Sequence, residues 1–128
     1  MEKNIKDFNN CVAMVLERLY QHFPKPIILS TEELDESSDR ETIKTYTATL
    51  EFLTQEGFIR YRSATTDGVF MDVVLTAKGL TLLNAVPEAL VEKKSFIDAI
   101  KSAFKEGSKI GLKTIVETLL KESLKWKG

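Results

Sequence analysis

Apolar residues recur every three or four positions along the first part of the chain, which is the spacing of an amphipathic helix. The segment PKP (24–26) is expected to end this helix, because proline has no N–H to donate and disfavours the helical conformation in the residue before it. The β-branched run IIL (27–29) that follows is long enough for one edge strand. The apolar stripe of the helix consists of Ile5, Phe8, Val12, Val15, Leu16, Leu19 and Phe23.

Two further helices are predicted before residue 57. STEEL (30–34) has the capping-box pattern that starts a helix, and the turn-forming residues after it make that helix short. A longer helix runs from about residue 40 to 55, with Ser38 or Asp39 as its N-cap and Gly57 in the left-handed conformation that often follows a helix. Its expected buried stripe is Ile43, Tyr46, Leu50 and Leu53.

A β-hairpin is predicted next. FIRYR (58–62) and VFMDVVL (69–75) are extended runs rich in β-branched and aromatic residues, and SATTDG (63–68) between them is a polar loop with an Asp-Gly step. Thr76 is then the N-cap of another helix. We expect the hairpin to pair with the strand at 27–29 and to cover the helices with alternating residues, namely Phe58, Tyr61, Phe70, Val73 and Leu75.

The C-terminal part of the chain is predicted to form one or two helices, with KEGSKIG (105–111) as the break between them. The chain is therefore expected to consist of a domain over residues 1–86 and a C-terminal helical extension over residues 87–128. The extension is interpreted as a dimerisation or interaction arm. Its first apolar stripe is Phe96, Ile97, Ile100 and Phe104, and its second is Ile110 or Leu112 with Ile115, Val116, Leu119 and Leu120.

Composition limits the class of protein. The chain has 128 residues, of which 43% are hydrophobic, enough for one domain with an ordinary core and an appendage. Its single cysteine, Cys11, excludes an internal disulfide framework and fits a reducing compartment. The N-terminus has no apolar run of the signal-peptide type, and no stretch reaches the roughly 20 apolar residues of a membrane span. We therefore expect a cytoplasmic protein.

The net charge of −1 is unevenly distributed along the chain. Residues 31–59 include two basic and eight acidic side chains, a net charge of −6. Residues 87–128 include nine lysines and six acids, a net charge of +3, and the segments 1–30 and 60–86 each carry +1. An acidic middle and a basic C-terminal segment determine which partners the chain attracts.

The order helix, short strand, short helix, longer helix, strand, loop, strand, helix resembles a winged helix-turn-helix domain over about residues 5–86. STEELDESSDRETIKTYTATLEFLTQEGFI is similar to the paired helices of that family, and RYRSATTDGVFMDVV is similar to its wing. LTAKGLTLL is similar to the step that leaves the wing in MarR-like and PadR-like transcriptional regulators. The resemblance implies a mainly α fold with a small β-hairpin wing (α+β class), extended by C-terminal helices.

In the winged-helix family the second helix of the pair enters the major groove, and the wing contacts the flanking backbone or minor groove. The resemblance therefore implies a small transcriptional regulator of bacterial or phage type that binds double-stranded DNA as a homodimer through its terminal helices. On the recognition helix, the candidate DNA-binding residues are Arg40, Lys44, Thr45, Thr47 and Ala48. In the wing they are Arg60, Arg62, Ser63, Thr65 and Thr66, with both arginines on one strand face. Basic side chains suit phosphate or guanine, and small apolar groups suit the thymine methyl.

Other interpretations of these residues remain open. The basic side chains can belong to an ordinary solvated helix face, and the wing threonines can be turn residues. The charge of −6 around the helix pair, with Glu41 and Glu51 on the reading face, opposes contact with phosphates. An alternative function is a protein-interaction module that docks a basic partner through this acidic helix pair, aided by an exposed Phe52.

Lysines recur every four residues in the C-terminal segment, and on a continuous helix they would form a basic stripe opposite the apolar one. The stripe is an ordinary solvated face, a dimerisation arm, or a basic amphipathic helix that lies on DNA or on an acidic membrane. A membrane-binding adaptor is the least favoured of the three functions considered. Trp126 near the end either anchors a partner or folds back. The lysines are Lys101, Lys105, Lys109, Lys113, Lys121 and Lys125.

No residue pattern indicates catalysis. His22, the only histidine, is expected near the core side of the first helix and has no cysteine or serine partner at a recognisable spacing. Cys11 has no second thiol nearby, so a zinc site is not expected. The carboxylates of residues 32–41 resemble the acidic residues that favour helix starts. We therefore predict that the protein is not an enzyme and uses neither a metal nor a cofactor.

Overall fold

The computed structural model describes residues 2–34, 39–90, 92–106 and 109–125. Within them the chain is mainly helical with one small antiparallel sheet, which confirms the α+β class. None of the helices in these ranges is both long and apolar enough to cross a bilayer. In chain order the elements are α1 (Lys3–His22), β1 (Ile27–Ser30), α2 (Thr31–Leu34), α3 (Arg40–Gln55), β2 (Ile59–Arg60), β3 (Ser63–Ala64), β4 (Val69–Leu75), α4 (Ala77–Asn84), α5 (Phe96–Glu106) and α6 (Lys109–Ser123).

The helix ends follow local signals in the sequence. α1 ends at His22, directly before a Phe-Pro step. Asp39 is the N-cap of α3, and its carboxylate accepts a hydrogen bond from the first turn of the helix at 3.3 Å. Ser38, the other candidate cap, lies outside the described residues. Gly57 follows α3 with φ +85°, and the Thr76 hydroxyl caps α4 by accepting from a backbone N–H at 3.0 Å, both as predicted.

β4 is the central strand of the sheet and pairs antiparallel with the three shorter strands. β1 lies along one side of β4, and β2 and β3 lie along the other. The predicted hairpin is present, but its first strand is divided into two pieces and its loop is shorter than expected. The reason is that Ser63 and Ala64 pair with Met71 and Phe70. The turn of the hairpin is therefore confined to residues 65–68.

The inner face of the hairpin covers the helices as the alternation predicted. Four of the five residues expected there are buried, and Tyr61 is half-buried with its ring edge-on to Phe70 at a centroid distance of 4.9 Å. Strict alternation ends within β4, because the register against β1 shifts next to Asp72, which has φ +56°. The three residues that follow Asp72 are all buried.

One hydrophobic cluster includes residues from both predicted parts of the chain. α1 contacts α3 as well as α5 and α6. Phe96 and Ile100 of α5 and Val116 of α6 are 0% exposed within this cluster. The C-terminal stripes are thus buried inside their own chain, except that Phe104 is 39% exposed and Leu120 is half-buried. The division of the chain after residue 86 stays a prediction.

The break between the C-terminal helices is narrower than predicted. α5 ends at Glu106 and α6 begins at Lys109, so Gly111 lies inside a helix. The lysines are therefore divided between two helices that pack together, and they do not form the stripe that one continuous helix would carry. Trp126 and the side chains of Lys109 and Ile110 lie outside the described part of the chain. The exposed lysines of this set are Lys101 and Lys105 on α5, Lys113 and Lys121 on α6, and Lys125 just after α6.

Candidate functional site

The outward face of α3 carries several of the residues that were predicted to read DNA. Because α1 packs against the other side of α3, exposed residues recur along the outward face at helical spacing. Arg40, Lys44 and Ala48 are exposed there, together with Glu41 and Glu51. Lys44 Nζ lies 3.7 Å from the Glu41 carboxylate. Two basic and two acidic side chains therefore leave this face without net charge.

Two threonines predicted for the same face, Thr45 and Thr47, are half-buried. Thr47 Oγ1 donates to the Ile43 carbonyl oxygen at 3.0 Å and lies 3.3 Å from Thr31 Oγ1 at the start of α2. A helical threonine whose hydroxyl bonds to the preceding turn has already used its single donor. Thr47 therefore contributes to the contact between α2 and α3.

Phe52 is half-buried, which corrects the prediction of an exposed ring. Its ring packs edge-on against Phe8 of α1, with centroids 5.4 Å apart and an interplanar angle of 79°. Helical spacing puts Phe52 on the outward side of α3, but the N-terminal half of α1 reaches far enough around α3 to cover it. A protein-docking surface on α3 therefore lacks the exposed aromatic residue expected for it.

The turn of the hairpin packs against α2 and α3 through Gly68. The Thr31 N–H donates to the Gly68 carbonyl oxygen at 3.0 Å. Gly68 has φ +87°, and a Cβ at this position would overlap Thr31 Oγ1 and lie 3.3 Å from Thr47 Oγ1. Only glycine combines that backbone conformation with so close an approach. The polar turn and the middle of α3 are thereby neighbours, a contact that the Asp-Gly step alone did not reveal.

The turn uses part of its own polar chemistry to hold its shape. The Thr65 hydroxyl bonds to the Asp67 carboxylate and accepts from the Val69 N–H at 3.1 Å. Thr65 is therefore a turn residue, in agreement with the alternative interpretation of the wing threonines. Ser63 and Thr66 are exposed and make no side-chain hydrogen bond with any described residue, so their hydroxyls are open to an external partner.

The two arginines of the hairpin differ in their surroundings. Arg60 lies in β2, is exposed, and its side chain makes no hydrogen bond or ion pair within the described part of the chain. Arg62 lies between β2 and β3 and is also exposed. Its Nε donates to Asp72 Oδ2 at 2.6 Å. Arg62 thus has a carboxylate partner inside the chain, whereas Arg60 is open to an external anion.

A polar network joins α1 to the N-terminus of α3. Lys3 Nζ lies 2.7 Å from Asp7 Oδ2 and 3.4 Å from Asp39 Oδ2, and it donates to Thr42 Oγ1 at 2.7 Å. The hydrogen bond from the Thr42 hydroxyl, followed by that from the Glu41 N–H, lowers the pKa of Asp39. The bond to Asp7 is the largest contribution that raises the pKa of Lys3. Lys3 is therefore held by acids of its own chain.

Acidic side chains on or next to α2 and α3 are exposed to solvent. The described acids of residues 31–59 are therefore at the surface and are not buried inside the fold. Asp35 and Glu36 lie outside the described residues. The exposed acids on or next to α2 and α3 are Glu32, Glu33, Asp39, Glu41, Glu51 and Glu56.

Cys11 and His22 do not come together in a chemical site. Cys11 is 0% exposed, and burial raises the pKa of its thiol well above the usual range. A buried, neutral thiol is a poor nucleophile. His22 is exposed at the end of α1, which corrects the expectation that it lies near the core. Among the described residues no group of three or more potential ligands is arranged to hold a metal ion.

A cavity of about 330 Å³ lies between α5, α6 and the segment before α5, a feature that the sequence did not indicate. Its walls include Leu90, Ala103 and Ile115. Lys94 is its basic side chain, and Nζ lies 2.8 Å from the Glu92 carboxylate and donates to the Ser102 hydroxyl at 2.9 Å. The lysine of the cavity is thus already paired within the chain.

No protein-family model, curated protein or solved structure matches the chain. Its own residues therefore carry the functional inference. Three features belong together in the fold. The turn at residues 65–68 packs beside α3, whose outward face is exposed, and Arg60 and Arg62 lie on the same hairpin as the turn.

Proposed function

We propose that residues 5–86 form a winged helix-turn-helix domain that binds double-stranded DNA, and that the protein regulates transcription as a homodimer. The order of α1, β1, α2, α3, the hairpin and α4 agrees with this assignment. In it, α3 is the recognition helix that enters the major groove, and residues 59–75 are the wing.

The single observation that carries the proposal is the contact at Gly68. A wing assists a recognition helix only when both can reach the same stretch of duplex. Because the turn packs against Thr31 and Thr47, it is held beside the exposed face of α3 and does not extend freely into solvent. The open hydroxyls of Ser63 and Thr66 then lie on the same hairpin as Arg60, the arrangement expected for phosphate contacts that position a reading helix.

Charge predicts weak and salt-sensitive binding. The candidate cations per protomer are Arg40, Lys44, Arg60 and Arg62, so at most about four phosphates are neutralised and log K is expected to fall with log salt with a slope no steeper than about −4 per protomer. The acidic surface around α2 and α3 reduces the attraction further. Sequence preference on this view depends on the few side chains of α3 that are exposed, chiefly Arg40, Lys44 and Ala48.

Fluorescence anisotropy with labelled, mixed-sequence duplexes tests the proposal over roughly 50 to 200 mM salt. We expect binding that weakens as salt rises and that is lost in the Arg60→Glu, Arg62→Glu double variant. The matched control is Lys113→Glu, Lys121→Glu, which makes the same change of charge on exposed positions of α6. The control is expected to keep most of the affinity.

Two results would contradict the proposal. One is the absence of binding at low salt by a folded chain. The other is an equal loss of affinity in both double variants, which would mean that the duplex responds to total charge or to the C-terminal lysines and not to the hairpin. In either case the wing has no specific role in DNA contact.

The dimer proposed through the terminal helices has a restricted surface to use. The main apolar stripes of α5 and α6 are buried in their own chain, so the described apolar side chains left on the terminal elements are Ile5, Phe104 and Leu124, at 43%, 39% and 81% exposure. Light scattering on Phe104→Glu should show a smaller mass than the wild type, whereas Val86→Glu, at an exposed apolar residue outside these elements, should not. An unchanged mass in Phe104→Glu would remove Phe104 from the interface.

A second function is favoured by the exposed acids on α2 and α3. A module that docks a basic protein segment would use the same surface without requiring DNA, and its attraction would also weaken with salt. A lysine-rich peptide titrated against the wild type and Glu41→Gln, Glu51→Gln separates the two. Tighter DNA binding by the Glu41→Gln, Glu51→Gln variant supports the DNA-binding function. Loss of peptide binding by the same variant supports the protein-docking function.

A further inference from the structure

Arg62 and Asp72 face each other across the hairpin at a fixed register. β2 pairs Arg60 with Val74, and β3 pairs Ser63 with Met71. Counting inward from both pairs brings Arg62 opposite Asp72, and the Arg62 N–H donates to the Met71 carbonyl oxygen at 2.9 Å. The side chains complete the pair, with Arg62 Nε 2.6 Å from Asp72 Oδ2.

The backbone at Asp72 is unusual and directs this contact. On the β1 side, Ile27 pairs with Val73 and Leu29 with Phe70, so β4 has one residue more than β1 over this interval. The extra residue is accommodated beside Asp72, which has φ +56°, a conformation that few residues other than glycine, asparagine and aspartate adopt readily. A bulge of this kind re-aims a side chain and is often found next to functional sites.

Stability does not explain the pair. The side chains of Arg62 and Asp72 are 67% and 49% exposed, and exposed ion pairs contribute little to folding because water and salt screen them. The pair does direct the Nε side of the guanidinium toward Asp72. Arginine has five N–H donors, and the contact with Asp72 uses the Nε–H, so the Nη donors remain for a second partner.

We propose that Asp72 is a positioning residue, which holds the Arg62 guanidinium so that its Nη edge meets a backbone phosphate of bound DNA. This inference rests on the proposed DNA-binding function and names a residue within it. A freely rotating arginine loses side-chain freedom when it binds, and fixing it in advance removes a cost of roughly three- to tenfold in the binding constant. The Asp72 carboxylate also repels the phosphate, but both are exposed and salt screens that repulsion.

Two substitutions of Asp72 separate these effects. Asp72→Gly removes the carboxylate and suits φ +56°, so the fold should be kept. Asp72→Asn removes the charge but keeps a hydrogen-bond acceptor in a residue that tolerates this conformation. If positioning decides, Asp72→Gly lowers DNA affinity about three- to tenfold at near-physiological salt, and Asp72→Asn lowers it by less than about threefold. If charge repulsion decided, both variants would bind DNA more tightly than the wild type.

The experiment is a double-mutant cycle measured by anisotropy with labelled duplexes, combined with ¹⁵N–¹H spectra of the arginine Nε groups. In the wild type we expect the Arg62 Nε–H to be protected from exchange with water and to lose that protection in Asp72→Gly. In an Arg62→Ala background, Asp72→Gly should no longer weaken binding, because there is no guanidinium left to position. A role of Asp72 in folding alone would weaken binding equally in both backgrounds.

The outcomes distinguish this inference from the function on which it rests. Wild-type binding that Asp72→Gly leaves unchanged or strengthens overturns the positioning role alone. An equal loss of DNA affinity on Asp72→Gly in the wild-type and Arg62→Ala backgrounds also overturns the positioning role. Absence of wild-type binding at low salt overturns the proposed DNA-binding function and the positioning role together.

Discussion

At the scale of single residues, Gly79 fixes how closely two elements approach. It is buried in the first turn of α4, and a Cβ there would overlap the carbonyl oxygen of Phe58. A backbone atom cannot rotate away as the end of a side chain can. We therefore expect Gly79→Ala to lower the free energy of unfolding by about 1–3 kcal/mol, although alanine is the better helix former by about 1 kcal/mol. Denaturation in urea measures the difference.

The matched control for Gly79→Ala is Thr81→Ala, an exposed position on the same helix. There the gain in helix propensity acts alone, so stability should stay the same or rise by less than about 0.7 kcal/mol. If Gly79→Ala proved as stable as the wild type, α4 would not approach the hairpin as closely as the structure indicates.

Some features of single residues could be predicted from the sequence, and others could not. The caps at Thr76 and Gly57 follow from local chemistry, which is visible in a sequence, and so does Asp39 as one of the two candidate caps of α3. Phe52 and Asp72 depend on another element: α1 covers the first, and the register of β1 against β4 creates the bulge at the second. Side chains of the candidate site divide in the same way, because the exposure of Arg40, Lys44 and Ala48 on α3 could be predicted but the partner of Arg62 could not.

At the scale of elements, Thr76 joins the end of the hairpin to α4 and to the end of α3. Its hydroxyl accepts from the Gly79 N–H at 3.0 Å, lies 2.5 Å from the Gly57 carbonyl oxygen, and its N–H donates to the Phe58 carbonyl oxygen at 3.1 Å. Thr76→Ala removes the N-cap and leaves these backbone groups with fewer partners. We expect a loss of about 1–2 kcal/mol in the free energy of unfolding, measured by urea denaturation.

Thr76→Ser keeps the hydroxyl and is the control for this prediction. Serine is at least as good an N-cap as threonine, so the change in stability should stay below about 0.5 kcal/mol. Similar losses for serine and alanine would mean that the methyl group, and not the cap, stabilises this junction.

The N-terminus of α3 should make stability depend on acid. Hydrogen bonds from Thr42 and from the Glu41 N–H favour the charged form of Asp39 and lower its pKa in the folded state. A carboxylate of this kind stabilises the fold at any pH above its ordinary pKa, and the contribution is lost as the pH falls through the lowered value. The difference in urea midpoint between the wild type and Asp39→Asn should therefore be largest near neutral pH and shrink below about pH 4.

Glu51→Gln is the control for the acid dependence, because it removes the same charge from an exposed position on α3 away from the cap. The difference in urea midpoint between the wild type and Glu51→Gln is not expected to shrink below about pH 4 as it does for Asp39→Asn. If the difference in urea midpoint between the wild type and Asp39→Asn did not change with pH, the charge of the Asp39 carboxylate would be unimportant to its hydrogen bonds.

Element order was the most predictable level of this fold. Prolines after α1, the glycine after α3 and the threonine before α4 set boundaries that the structure keeps, and the hairpin lies where two extended runs flank a polar loop. The division of its first strand could not be predicted, because it depends on which residues of β4 are opposite. The break between α5 and α6 was placed within a few residues, but Gly111 was assigned to the turn although the helix includes it.

At the scale of the whole molecule, charge and packing divide the chain differently. The acidic surface lies around α2 and α3, whereas the exposed lysines of the C-terminal segment lie on or next to α5 and α6. Packing does not follow this boundary, because α1 contacts α3, α5 and α6 and all contribute to one hydrophobic cluster. The C-terminal helices therefore serve the core of the chain, whatever their lysines bind.

Shared packing predicts that the hairpin and the C-terminal helices unfold together. Val116 of α6 is 0% exposed, and Val116→Ala should lower the free energy of unfolding by about 2 kcal/mol through lost burial and a residual cavity. If the core is one cooperative unit, amide hydrogen exchange in β4 should accelerate by the same free energy as exchange in α6. Leu124→Ala, at an 81% exposed position just after α6, should change the free energies of exchange in β4 and in α6 by less than about 0.5 kcal/mol. Faster exchange in α6 with unchanged exchange in β4 would instead establish the division after residue 86, with the C-terminal helices as a unit that opens alone.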